Sequence, residues 1–159
     1  MRRYFSVAFV TLAVAAAWIV VLPSAPVSQP LAFPHAKHQA VGCTVCHQGA
    51  ATSIRAGIPE APVCTKCHAT APGGSSPAWN AAVEGKSFGW VQVTHVPNHV
   101  MFSHRRHVTI ARLDCVSCHG NIGDRSTPVA VVSVRLDMDT CLSCHLREGA
   151  ADDCAACHR

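Results

Sequence analysis

The chain has 159 residues, ten of them cysteine and eleven histidine, with 14% charged and 6% aromatic side chains and a net charge of +4. A single-domain length, one apolar run long enough to span a bilayer and no charge block exclude a polytopic membrane protein, a disordered tail and a nucleic-acid binder. So few aromatics are thin for a core of this size, so something besides side-chain packing must fill the interior.

Met1-Arg2-Arg3 is a short basic start, and Tyr4–Leu22 follows it without a charge. The run lacks a polar face, is long for a cleaved signal peptide, and is followed by Pro23 and Pro26 around the nearest small-residue cleavage site. It therefore reads as an uncleaved N-terminal signal-anchor over residues 1–25, with a cleaved signal peptide as the alternative. Arg2 and Arg3 keep that end in the cytoplasm, which places the rest in the periplasm. Residues 26–32 form a linker.

All ten cysteines beyond it fall into five copies of one pattern. These are Cys43-Thr-Val-Cys46-His47, Cys64-Thr-Lys-Cys67-His68, Cys115-Val-Ser-Cys118-His119, Cys141-Leu-Ser-Cys144-His145 and Cys154-Ala-Ala-Cys157-His158. C-x-x-C-H is the signature of c-type haem attachment. Two thiols one helical turn apart add across the two vinyl groups, and the adjacent histidine becomes the proximal iron ligand. Zinc ribbons do not need a histidine after every pair, and a disulfide framework built only of C-x-x-C loops is strained. Five covalent haem c groups are expected.

Six histidines remain: His35, His38, His95, His99, His104 and His107. Five irons need five distal ligands, so bis-His coordination can be completed with one to spare. Met101 and Met138 are the alternative ligands. Phe33-Pro-His35-Ala-Lys-His38 precedes the first motif, and Phe102-Ser-His104-Arg-Arg-His107 precedes the third. Each block then holds a second motif, and the fifth motif extends the second block. The pattern divides residues 33–159 into a two-haem unit (33–68), a loop (69–89) and a three-haem unit (90–159). Ala69–Lys86 is rich in Ala, Pro, Gly and Ser and reads as surface loop. Trp90–Val96 and Val129–Val134 are strand candidates that would pair. The fold expected is mostly irregular, with short α-helices at the motifs and at most one small β-hairpin, wrapped around the porphyrins.

On these residues the chain resembles the class III multihaem cytochromes c, in which an H-x-x-H pair precedes a C-x-x-C-H motif and every iron is bis-His. The resemblance implies that His35 caps the haem of Cys43–His47 and that His38 reaches a haem of the other block, with His104 and His107 acting similarly. A narrower similarity runs through Ala56-Gly-Ile-Pro59, Trp90-Val-x-Val and Val96-Pro-Asn-His-Val-Met-Phe-Ser-His104-x-x-His107-Val to Cys118-His119-Gly120. There the chain is similar to the membrane-anchored pentahaem subunit of alternative complex III and to cytochromes that accompany molybdopterin-type oxidoreductases. Both His95 and His99 lie in that stretch. His95 is taken as the fifth distal ligand, with His99 in reserve, because His99 follows Pro97-Asn98 and sits close to His104.

Bis-His irons have no open site, so the expectation is electron transfer without catalytic residues. The implied partners are subunits of a quinol-oxidising or molybdopterin-type membrane complex and a periplasmic redox acceptor. A free periplasmic shuttle is the alternative. A multihaem reductase would need a five-coordinate iron, and six candidates for five distal positions argue against one.

Overall fold

A computed structural model describes residue 11 and residues 26–158 apart from 72 and 75. The apolar N-terminal run, but for Thr11, lies outside the described residues. Among the described residues, no helix is long and apolar enough to cross a membrane.

Helices are short and most begin at a motif: α1 (Cys43–Cys46), α2 (Ala61–Cys64), α3 (Pro77–Val83), α4 (Val116–His119), α5 (Met138–Glu148) and α6 (Cys154–Cys157). Tight 3₁₀ turns cover His35–Val41, Gln48–Ala50 and Ile122–Asp124, and a π turn covers Arg106–Ile110. The longest helix, α5, has both ends defined by sequence. Asp137 caps its start by accepting from the Thr140 N–H (3.0 Å) and hydroxyl (2.8 Å). Gly149, in the left-handed region at φ 63°, turns the chain so that the Ala150 N–H reaches the His145 carbonyl at 2.8 Å. Thr140's N–H and hydroxyl, with Arg135 beside them, hold the Asp137 carboxyl below its ordinary value. A depressed carboxylate stabilises the fold above the ordinary carboxylate range, and that contribution is lost as pH falls through the folded-state value. Asp137→Asn keeps a capping oxygen but cannot titrate. Its melting temperature is expected to lie below that of the parent near neutrality and to converge with it below about pH 3.

The expected hairpin does not form. Among the described residues there is no strand, only an isolated antiparallel bridge between Val100 and His158. The two valine-rich segments are instead joined through a third. The Gln29 side-chain amide donates to the Val91 carbonyl (2.8 Å) and the Val129 carbonyl (2.9 Å), and accepts from the Val91 N–H at 3.1 Å. Val27 adds a backbone bond to Ala130. Alternation of valines signals one buried sheet face, but Val91, Val131 and Val132 are exposed. Gln29→Ala is expected to cost about 1–3 kcal/mol, because three bonds between distant segments go at once. Thermal unfolding of the holo-protein measures it.

Residues 69–89 are not all loop. Ser76 caps α3 by accepting from the Trp79 N–H at 3.1 Å, and Pro77 occupies the first turn. Trp79 and Ala82 on α3 pack with Ala61 and Phe88 into the main buried cluster. Glu60 ties this segment to α2 by accepting from the Ser87 hydroxyl (2.6 Å) and the Phe88 N–H (2.9 Å). The aromatic contacts continue from Phe88 to Trp90 and on to Phe33, which lies against His35 and His38.

Candidate metal centres

Each motif forms one helical turn. The histidine N–H bonds back to the carbonyl of the first cysteine in His47, His68, His119 and His158, at 2.8–3.0 Å. That i→i−4 closure places both thiols and the imidazole around one turn. All ten cysteines are free thiols, so no disulfide competes with attachment.

The two F-x-H-x-x-H blocks adopt the same geometry. Phe33 meets His35 edge-on at 4.9 Å and stacks on His38 at 4.5 Å; Phe102 meets His104 at 4.9 Å and stacks on His107 at 4.6 Å. The second ring of each pair is held alike, with Nδ1 at 3.0 Å from the Pro34 carbonyl and 2.9 Å from the Ser103 carbonyl. The internal repeat is therefore structural as well as sequential.

Every motif histidine has another histidine opposite it. Ring centres are 6.1 Å apart for His38 and His68, 6.3 Å for His104 and His119, 6.1 Å for His107 and His145, and 5.5 Å for His99 and His158. His47 lies within electrostatic reach of His35. An imidazole nitrogen sits about 2 Å from a first-row metal ion, so two rings on opposite sides of one ion have centres about 6 Å apart. The spacing fits a haem iron held axially. Among the described residues no three His, Cys, Asp or Glu side chains converge as a tetrahedral metal site would require.

Two expectations change. His38 faces His68, the second motif of its own block, and His107 likewise faces His145, so neither reaches across to the other block. The reason is local: one helical turn presents two rings side by side, and both motifs of the same block fold back onto them. His99, not His95, lies against His158. The Val100 N–H bonds to the Pro97 carbonyl at 2.9 Å, and this turn, with the Val100–His158 bridge, projects His99 towards the last motif. His95 is exposed and has no ring against it among the described residues. Met138 is exposed, and Met101 approaches the last motif through its backbone N–H, on the Cys157 carbonyl.

Ring nitrogens away from the iron side are mostly engaged by carbonyls. His47 Nδ1 is 2.7 Å from the Gly57 carbonyl, His104 Nδ1 3.0 Å from that of Ile54, and His145 Nδ1 2.5 Å from that of Ala151. Such bonds fix the tautomer that leaves Nε2 free to ligate. His35 differs, because its Nδ1 is buried without a partner. Burial, then His47, His38 and Arg125, push its pKa down; burial, then His104 and His47, do the same to His119. Both favour the neutral imidazole that metals bind. The carbonyls of Ile54 and Gly57 were not legible as functional groups, although Ala56-Gly-Ile-Pro59 was already singled out by similarity.

Two family models match the chain. The Class III cytochrome C family model covers residues 19–87, and that for cytochrome c7 and related cytochrome c covers residues 100–159. No curated protein matches it. The first model takes in the two-motif block and the second the three-motif block, so the fold built here from short helices and irregular backbone is that of a multihaem cytochrome c of the c7 and class III kind.

Proposed function

We propose that the chain carries five covalent haems, each between two histidines, and serves as an electron-transfer subunit of a membrane respiratory complex. The distal and proximal pairs are His35 with His47, His38 with His68, His104 with His119, His107 with His145, and His99 with His158. The observation that supports this reading most is the facing of imidazoles at iron-spanning distance, with every motif histidine used once. A c-type haem supplies a one-electron iron couple when bound. The chain's own residues hold it by two thioethers, close both axial positions and fix ligand tautomers through backbone carbonyls. With both positions closed there is no site for a substrate, which favours electron transfer over reduction of a small molecule.

Domains of the c7 type work outside the cytoplasm, in keeping with an export or anchor segment at residues 1–25. Membership of a quinol-oxidising or molybdopterin-type complex rests on the similarity over Trp90–Gly120 and on the apolar N-terminal run. Intact-protein mass tests the haem count, and electron paramagnetic resonance of the oxidised protein tests the ligands. Five haem additions and only low-spin ferric iron are expected; fewer additions or a high-spin signal would refute the assignment. A haem-stained native gel of gently solubilised membranes tests the complex. A large assembly containing this chain supports it, and a monomer in the soluble periplasmic fraction would make the protein a free shuttle.

A further inference from the structure

Each motif cysteine becomes a thioether on the rim of a porphyrin, so thiols from two motifs that approach one another bring two porphyrin edges together. The thiols approach in a definite pattern. Cys46 of the first motif lies within electrostatic reach of Cys64 and Cys67 of the second. Cys43 of the first motif hydrogen-bonds to Cys115 of the third. Cys118 of the third lies near Cys144 and Cys141 of the fourth. Cys141 of the fourth lies near Cys157 of the fifth.

Backbone contacts agree. The segment after the first motif is stitched to the histidine pair of the second block. The His104 N–H donates to the Ile54 carbonyl at 3.1 Å, the Arg105 N–H to that of Ser53 at 3.0 Å, and the Thr109 hydroxyl to that of Ala51 at 2.6 Å. His47 also lies within electrostatic reach of His119, so the first and third motifs meet on their ligand sides as well as through their thiols. The fourth and fifth motifs are joined by the His145 contact to Ala151, which lies between them.

We infer that the chain arranges its five motifs as one unbranched series in the order second, first, third, fourth, fifth, with the motifs at Cys64–Cys67 and Cys154–Cys157 as its two ends. The inference rests on the five-haem reading above. It departs from sequence order at one place. The link between the blocks leaves from the first motif, so the segment 69–89 is no part of the route, and the second motif becomes a terminus. Donor and acceptor then meet the protein at opposite ends of the series.

The test is a stepwise reduction of the intact holo-protein followed by nuclear magnetic resonance. Each set of haem methyl signals is assigned to a motif through contacts with its thioether cysteines. Reduction of one haem shifts the midpoint of its neighbours, and the shift falls with separation. The strongest couplings are expected between motifs 2 and 1, 1 and 3, 3 and 4, and 4 and 5. The second and fifth should each have one strong partner and the others two. Any other set of strongest partners, such as the second motif coupled most strongly to the third, overturns the order. That failure is distinct from failure of the five-haem reading, which would show first as missing haem signals or high-spin shifts. As a second readout, Cys64→Ala with Cys67→Ala removes the haem at one end. It should displace the signals of the first motif's haem at least threefold more than those of any other, and equal displacement of two neighbours would place the second motif inside the series.

Discussion

Gly49→Ala is expected to lower the melting temperature of the holo-protein by about 5–10 °C and to disturb two haem sites together. A Cβ on Gly49 would meet the Arg55 carbonyl oxygen well inside contact distance and the Ala56 oxygen at 2.9 Å. Neither neighbour is a side chain that can swing aside. Both belong to the loop that folds onto Gly49, whose own N–H donates to the Ala56 carbonyl at 2.9 Å and whose carbonyl accepts from Ser53 at 2.8 Å. The same loop supplies the Gly57 carbonyl to His47 and the Ile54 carbonyl to His104. Displacing it therefore loosens one proximal and one distal ligand, on the first and third motifs. Gly123→Ala is the control, since its Cβ would meet only the Gln39 side chain at 3.7 Å. Low-spin signals of two haems should shift in the first variant and none in the second. Unchanged spectra and melting in Gly49→Ala would show that the loop yields freely.

The haem between His107 and His145 is expected to be harder to reduce than the haem between His35 and His47. Both ligands of the fourth motif face carbonyls at Nδ1, the Ser103 oxygen at 2.9 Å and the Ala151 oxygen at 2.5 Å. A hydrogen bond of this kind makes the imidazole a stronger donor and favours ferric iron. At the first motif only His47 has such a partner. His35 is buried with Nδ1 unpartnered, and Arg125 lies within its electrostatic reach. A bond worth about 1–2 kcal/mol corresponds to roughly 40–90 mV in a one-electron couple, and the nearby cation widens the gap in the same direction. Haem-resolved potentiometric titration measures it. Arg125→Gln should lower the potential of the first haem and leave the fourth unmoved. A fourth haem that reduces before the first would defeat the argument.

The attachment sites could be read from sequence because C-x-x-C-H encodes covalent chemistry at fixed spacing, independent of tertiary context. The histidine repeat was equally legible, since Phe and two histidines at helical spacing form one local unit. Their partners were not. His38 turns to His68 because the chain doubles back, and no local pattern encodes that return. His99 was set aside for following Pro97-Asn98, yet the turn begun by Pro97 is what carries it to His158. The strand reading failed because alternation in valines is indifferent to a glutamine sixty residues away that takes the same backbone groups. In α3 the signal was present: Ser76-Pro77 is a cap followed by a first-turn proline. The Ala, Gly and Ser bias around it concealed a helix that holds much of the aliphatic and aromatic packing.

That packing is small. Among the described residues the buried apolar side chains are Ala50, Ala61, Trp79, Ala82 and Phe88. Two rings and three alanines contribute a few times about 1.5–3 kcal/mol, whereas ordering each residue of backbone costs about 1–2 kcal/mol. A polypeptide with this balance does not hold its shape before its prosthetic groups arrive. Attachment must then act on a loose chain, whose thiols are open to the enzymes that join them to porphyrin. Copies that miss a haem stay digestible by proteases. The cell's supply of haem, more than its rate of translation, would set how much of this protein accumulates.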